Sequence, residues 1–146
     1  MTGMLTRYER LVAAGELRSD PDQRRAAERL DRLQKDLEAE SSGGLLSQLF
    51  RARKANPQGV YMWGGVGRGK SMLMDLFVET LGIDEKRRVH FHEFMLEVDR
   101  RIRERRESDP GDPTGKVARD IAQDMRCLAF DEMVVNNTAD AAIMAR

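Results

Sequence analysis

Gly59-Val60-Tyr61-Met62-Trp63-Gly64-Gly65-Val66-Gly67-Arg68-Gly69-Lys70-Ser71 is an apolar run that breaks into a glycine-rich turn and ends in Lys-Ser. Residues 64–71 fit the phosphate-loop pattern of Gly, four residues, then Gly-Lys-Ser. In such a loop the backbone N–H groups point into one concave turn, and glycines permit the positive φ angles that this requires. Residues 60–63 are β-prone and residues 72–81 have a helical pattern. The stretch therefore predicts a strand, a nucleotide-binding loop and a helix.

The loop chemistry assigns a role to each polar residue. Lys70 would reach the outer phosphates, which makes it a candidate catalytic residue as well as a binding one. Ser71 would be a magnesium ligand because Mg²⁺ prefers hard oxygen donors. A helix that starts near Lys70 would add its positive dipole end. The predicted ATP-contacting residues are Gly64, Gly65, Val66, Gly67, Arg68, Gly69, Lys70, Ser71 and Met72. The alternative is that the glycines only make a tight connection between a strand and a helix.

Composition limits the class of protein. A chain of 146 residues corresponds to about one domain, and its 25 basic and 25 acidic residues give no strong nucleic-acid signal. No apolar run approaches the roughly 20 residues that span a bilayer. The N-terminus is rich in both acids and bases, which argues against a secretory or transit peptide, so we expect a cytoplasmic protein. The single cysteine, Cys127, lies in an apolar run and is expected to be a core residue.

Residues 1–55 are predicted to form a helical segment that precedes the nucleotide-binding core at residues 56–146. A first helix opens at Thr2 or Thr6 and ends at Gly15, and a second begins near Pro21. The charged face of the second helix is expected to be solvated. Its apolar face consists of Ala26, Ala27, Leu30, Leu33 and Leu37. A linker at residues 41–44 and a short helix at residues 45–54 complete the segment.

The segment after the phosphate-loop helix predicts one more strand and two more helices. A short strand at residues 89–92 would place His90 and His92 on one face, where they are more simply ordinary polar residues than metal ligands. The arginine-rich helix from Phe94 onward is either solvated or contacts a nucleic acid or another partner. An amphipathic helix is predicted over residues 115–125.

A second motif is the apolar run of residues 126–130 that ends in Asp131 and Glu132. Ligand sites in open α/β sheets lie at the carboxyl ends of the strands, so these acids are expected beside the phosphate loop. Asp131 would hold Mg²⁺ through water, and Glu132 would orient or deprotonate the attacking water. The adjacent acids favour hydrolysis over the alternative of a small-molecule kinase. The order of elements predicts an α/β fold with a mainly parallel sheet, right-handed crossovers and helices on both faces.

Taken together, these residues resemble the ZapE/AFG-type branch of the AAA+ ATPases, which are P-loop NTPases. The stretches that carry the resemblance are residues 59–75, Arg88-Val89-His90-Phe91-His92-Glu93-Phe94-Met95, Phe130-Asp131-Glu132 and Ala139-Asp140-Ala141. The resemblance implies an ATPase that uses ATP and Mg²⁺. Bacterial members act on the tubulin-like division protein FtsZ and reduce the stability of its polymers, whereas mitochondrial members serve protein quality control. A homo-oligomer is the expected state of the full-length protein.

The resemblance also bears on the extent of the chain. AAA+ proteins continue with a sensor strand, an arginine finger and a helical lid, and the sequence ends at Arg146 before these parts. We therefore expect an N-terminal portion that lacks the activation half. The alternative to an ATPase is a binding module that holds nucleotide without turning it over.

Gln23 is a candidate for recognition of the base. A glutamine amide offers one donor and one acceptor, which match adenine N6 and N7. The alternative is that Gln23 is only a polar residue in the first turn of a helix.

Overall fold

The computed structural model describes residues 3–41, 57–65, 69–109, 111–135 and 138–145. The chain divides into two compact units, Met1–Asp84 and Glu85–Arg146. The helix predicted at residues 45–54 and the predicted domain boundary after residue 55 lie outside the described residues. None of the described helices is both long and apolar enough to cross a membrane.

The first unit contains the helices α1 (Met4–Ala13), α2 (Pro21–Ser41) and α3 (Lys70–Thr80), which pack against one another. Helix α2 begins at Pro21 because the Asp20 carboxylate accepts hydrogen bonds from the backbone N–H groups of Asp22 (2.8 Å) and Gln23 (3.3 Å). The buried apolar residues of this unit are Met4, Tyr8, Ala27, Leu30, Leu37, Leu73, Leu76, Phe77, Leu81 and Ile83. The predicted helical faces of α2 and α3 are therefore confirmed.

Two polar residues of α2 are buried, which corrects the expectation that its charged face is solvated. Asp31 and Gln34 expose only 7% and 3% of their surface. Asp31 Oδ1 accepts from Leu5 N (3.1 Å), and Gln34 Oε1 accepts from Met4 N (2.8 Å), so α2 satisfies the open N–H groups of α1. Gln34 Nε2 also donates to the carbonyl of Thr80 (2.9 Å) at the end of α3. These two residues of α2 therefore cap α1, and Gln34 also binds the C-terminal end of the phosphate-loop helix.

The strand predicted at residues 60–63 is wrong, since residues 57–65 form neither helix nor strand. Tyr61 and Trp63 expose 71% and 84% of their surface. A strand is stabilised by hydrogen bonds and side-chain packing to a neighbour. The β-prone composition of this segment cannot by itself supply that neighbour, and the sheet among the described residues has only the two strands of the second unit.

The second unit contains β1 (Lys86–His90), α4 (Phe91–Ser108), α5 (Pro113–Asp124), β2 (Cys127–Asp131) and α6 (Thr138–Met144). Strands β1 and β2 pair in parallel, with a register that runs from Lys86 opposite Cys127 to His90 opposite Asp131. Parallel pairing across a helical connection is the α/β arrangement that the sequence predicted. The core consists of Val89, Phe91, Phe94, Met95, Val98, Ile102 and Val117.

The boundary between β1 and α4 differs from the prediction. The strand ends at His90, and His92 lies in the first turn of α4, so the two histidines do not share a strand face. Phe91 is buried at the head of the same helical face as Phe94 and Val98. This apolar spacing continues the helix two residues further back than the alternation of histidines suggested.

Candidate nucleotide and metal site

The phosphate-loop half of the candidate site lies in the first unit. Gly64 and Gly69 have φ angles of 143° and 77°, which side chains disfavour, so glycine is required at both positions. Gly69 is the N-cap of α3, and the helix starts at Lys70 as predicted. The predicted contacts Val66, Gly67 and Arg68 lie outside the described residues. The remaining residues place a glycine turn directly before a helix N-terminus, where unpaired N–H groups and the dipole favour an anion.

The Lys70 ammonium group lies over the start of this turn. Its Nζ donates to the carbonyl oxygens of Gly64 (2.8 Å) and Gly65 (2.7 Å). Ser71 is exposed in the first turn of α3, and Met72 follows it half-buried. The turn therefore has a cation at its mouth and a hydroxyl on the adjoining helix turn.

Gln23 lies against the last glycine of the turn. A Cβ atom at Gly69 would come within 2.8 Å of Gln23 Nε2 and 3.3 Å of its Cδ. The positive φ disfavours a larger residue at position 69, whereas the Gln23 side chain could move aside. The sequence predicted Gln23 either as a base contact or as a polar residue in the first turn of a helix; it lies in the first turn of α2, and its amide also lies against Gly69.

The acidic half of the candidate site lies at the end of β2 in the second unit. Asp131 is the last residue of the strand, and its Oδ2 accepts from Arg88 Nη2 (3.2 Å) and Nη1 (3.4 Å). Arg88 lies opposite Ala129 in the register, and Ala129 is two residues before Asp131 on β2. Arg88 and Asp131 therefore share one face of the sheet. Sequence reasoning missed Arg88. The available signal was that β1 residues could pair with β2, but the register that selects Arg88 over Arg87 is not visible in the sequence.

Arg87 belongs to a different ion-pair cluster. Arg87 Nη2 lies 2.7 Å from Glu97 Oε2, and Arg101 Nη2 lies 2.7 Å from Glu97 Oε1. The hydrogen bond from Arg87 lowers the pKa of Glu97, and the same bond raises the pKa of Arg87. Both partners therefore remain charged at neutral pH.

Glu132 has the only positive φ angle of a non-glycine residue among the described residues, at 50°. This left-handed conformation costs such a residue about 1–2 kcal/mol, and strain of this kind concentrates at functional sites. The residue is exposed directly after Asp131. The bend that follows β2 therefore turns the Glu132 backbone out of the strand and leaves its carboxylate in solvent.

The donor atoms fit magnesium. The Ser71 hydroxyl and the Asp131 carboxylate are oxygen ligands, which suit Mg²⁺. No cluster of three or more His, Cys, Asp or Glu residues that could hold a metal occurs among the described residues. Mg²⁺ usually takes only one or two protein oxygens beside phosphate and water, so it needs no such cluster.

Cys127 lies at the start of β2, and burial raises the pKa of its thiol. A thiol whose pKa is raised is mostly protonated at neutral pH and is a poor nucleophile. The residue is a free cysteine of the strand. The half-buried position agrees with the expected packing role.

Comparison with known proteins decides the family. The family model of the AFG1-like ATPases matches residues 2–146, which is nearly the whole chain. The chain belongs to the AFG1-like ATPase family. The resemblance drawn from the phosphate loop and the two acids is thereby confirmed.

Individual relatives span very different organisms. The chain is 32% identical over 191 residues to lactation elevated protein 1 homolog B of Danio rerio, covering 97% of this chain and 38% of the relative. It is 32% identical over 151 residues to cell division protein ZapE of Escherichia coli K12, covering 95% of this chain and 40% of the relative. A Schizosaccharomyces pombe protein of unassigned function is 30% identical over 172 residues, covering 95% and 38%.

The chain thus spans about two fifths of the length of the curated AFG1-like relatives that it matches. No solved structure gave a significant match.

Proposed function

We propose that the chain binds Mg-ATP through residues 64–72 and Asp131 and takes part in ATP hydrolysis. The observation that carries the proposal is the Lys70 ammonium group held at the mouth of a glycine turn that begins a helix. Membership of the AFG1-like ATPase family supports the nucleotide and the reaction.

The loop would bind the phosphates through its backbone N–H groups and the positive charge of Lys70. The N–H groups from Gly64 to Met72, including those of Val66, Gly67 and Arg68, would face the phosphates, and the N-terminus of α3 would favour their negative charge. Lys70 would exchange its bonds to the Gly64 and Gly65 carbonyls for charge-assisted bonds to the outer phosphates. Ser71 would be a direct magnesium ligand.

Asp131 and Glu132 would have different roles in metal binding and hydrolysis. Asp131 would accept hydrogen bonds from water bound to Mg²⁺, and Glu132 would orient the attacking water and accept its proton. The metal, when bound, neutralises charge that develops on the phosphates. The strained φ of Glu132 supports a functional position for its carboxylate, because strain of this kind is seldom kept without a use.

Gln23 is proposed to discriminate the base. The approach of its amide to Gly69 supports this proposal. A donor and an acceptor on one amide suit adenine better than guanine. Selectivity for ATP over GTP is the expected consequence.

The cellular role is proposed from the relatives. The E. coli relative bears the name of a cell division protein, which supports a role in cell division. By the family resemblance we propose a bacterial, cytoplasmic protein that weakens polymers of FtsZ. The full-length protein would act as a homo-oligomer. The Danio rerio relative shows that the family also occurs in an organism that has no bacterial cell division.

Nucleotide affinity of a Lys70→Ala variant tests the proposal. Loss of the Lys70 cation should weaken ATP binding by roughly 100-fold or more, because desolvated phosphate charge would lose a charge-assisted partner. Fluorescence of Trp63, the single tryptophan, provides the readout beside Gly64. Lys116→Ala, which removes an ion pair to Asp109 on the second unit, is the control. Equal ATP affinity in wild type and Lys70→Ala would refute the proposal.

A further inference from the structure

Two neighbouring arginines on β1 have different acidic partners. Arg87 pairs with Glu97 of α4, whereas Arg88 pairs with Asp131 at the end of β2. Successive residues of a strand point to opposite faces, so the chain sends one guanidinium to each face of the sheet. Only the Arg88 face carries the carboxylate proposed to serve the metal.

The pairing of β1 with β2 brings Arg88 and Asp131 together as an ion pair. Register places Arg88 opposite Ala129, and Asp131 follows on the same face. The side chains of Arg88 and Asp131 are 26% and 19% exposed, so solvent screens them less than a surface pair. Two guanidinium nitrogens share the single oxygen Oδ2 at 3.2 and 3.4 Å. The ion pair therefore offsets the Asp131 charge before any metal or nucleotide is present.

The positive charge of Arg88 disfavours the binding of a metal cation at the Asp131 carboxylate. Mg²⁺ or a water bound to it would share this carboxylate with the guanidinium, which already bonds Oδ2. The positive charge of Arg88 would also repel a dication held at the carboxylate. The phosphates of a bound nucleotide would supply enough negative charge to reverse this balance.

We propose that Arg88 is a positioning residue that neutralises Asp131 and thereby makes metal binding at this carboxylate depend on bound nucleotide. The inference rests on the proposed function, since it takes Asp131 as the carboxylate that serves the metal. It assigns to Arg88 a role that the phosphate loop and the two acids do not contain. The expected signature is that removing the arginine charge strengthens, and does not weaken, metal binding without nucleotide.

The test is a Mn²⁺ titration of the nucleotide-free chain followed by electron paramagnetic resonance. Arg88→Gln should bind Mn²⁺ about three- to tenfold more tightly than wild type, as expected for removing one nearby charge at an intermediate dielectric. Arg88→Lys keeps the charge and should stay near wild type. Arg87→Gln is the matched control and should also stay near wild type, since its partner is Glu97. The double variant Arg88→Gln/Asp131→Asn should lose the gain.

Unchanged or weaker Mn²⁺ binding by Arg88→Gln would overturn the inference, and so would a gain that persists in the double variant. If Arg88→Gln does not fold, Arg88→Met, which also removes the charge, is titrated in its place and should show the same gain. Unchanged or weaker Mn²⁺ binding by Arg88→Met would overturn the inference. None of these arms contains ATP, so failure here is separate from failure of Lys70→Ala to weaken ATP binding.

Discussion

The phosphate loop and the strand end that carries Asp131 rest on different kinds of support. The loop begins within residues 57–65, which form no regular structure and expose Tyr61 and Trp63. Asp131 instead ends a strand that is paired to β1 along five residues and packed on an aromatic core. In that core the ring of Phe130 meets Phe94 at 4.8 Å and Phe91 at 5.7 Å between centroids.

The difference shows what each half needs from the rest of the chain. The loop geometry is local, because two glycines, the helix N-terminus and the Lys70 side chain all lie within seven residues. The acidic half depends on contacts distant in sequence, since Arg88 and Asp131 are 43 residues apart. Local motifs can therefore form with little packing beneath them, whereas a carboxylate at a strand end is positioned by its sheet.

Core truncation should give the largest contrast between the two regions. Phe94→Ala should lower the free energy of unfolding of the second unit by about 3–5 kcal/mol, because it opens a cavity against Phe130. Trp63→Ala should cost less than about 0.5 kcal/mol, since the ring is exposed. Urea unfolding followed by far-ultraviolet circular dichroism measures both. A Trp63→Ala cost similar to that of Phe94→Ala would show that residues 60–63 are packed as the sequence had suggested.

Replacing Glu132, the residue after Asp131, should lower the rate of ATP hydrolysis and leave the affinity for Mg-ATP unchanged. Glu132→Gln keeps the size of the side chain but removes the base, so in the full-length protein phosphate release should fall about 100-fold while Mg-ATP affinity stays near wild type. Glu104→Gln, on the exposed face of α4, is the matched control. Phosphate release and nucleotide affinity must be measured separately. Wild-type release by Glu132→Gln would remove the role given to this carboxylate.

Replacing Gln23 should produce the smallest effect. The variant distinguishes a contact of the Gln23 amide with the base from a contact that only supports Gly69. If its amide contacts adenine, Gln23→Ala should narrow the preference for ATP over GTP by about three- to tenfold, the value of one or two neutral hydrogen bonds. If it only supports Gly69, both affinities should fall by the same factor. Gln123→Ala, exposed on α5, controls for loss of an amide elsewhere. An unchanged ATP to GTP ratio would end the proposal of base recognition.

Sequence reasoning predicted the parts of the molecule that depend on local pattern. The glycine spacing predicted that α3 starts at Lys70, and the apolar run that ends at Asp131 predicted β2. The start of α2 near Pro21 was also predicted. Burial of Asp31 and Gln34 was missed because their partners are backbone groups of other helices, which no spacing in α2 reveals. The predicted strand at residues 60–63 was wrong because β propensity describes a fit to a neighbour.

The central proposal is that Asp131 serves the metal of the Mg-ATP that the phosphate loop is proposed to bind. Isothermal titration of ATP into wild type and Asp131→Asn, with Mg²⁺ and with chelator, tests it most directly. Asp131→Asn should weaken binding about 10- to 100-fold with Mg²⁺, the usual effect of losing an outer-sphere metal partner, and leave binding in chelator unchanged. An equal improvement by Mg²⁺ in wild type and Asp131→Asn would contradict the claim.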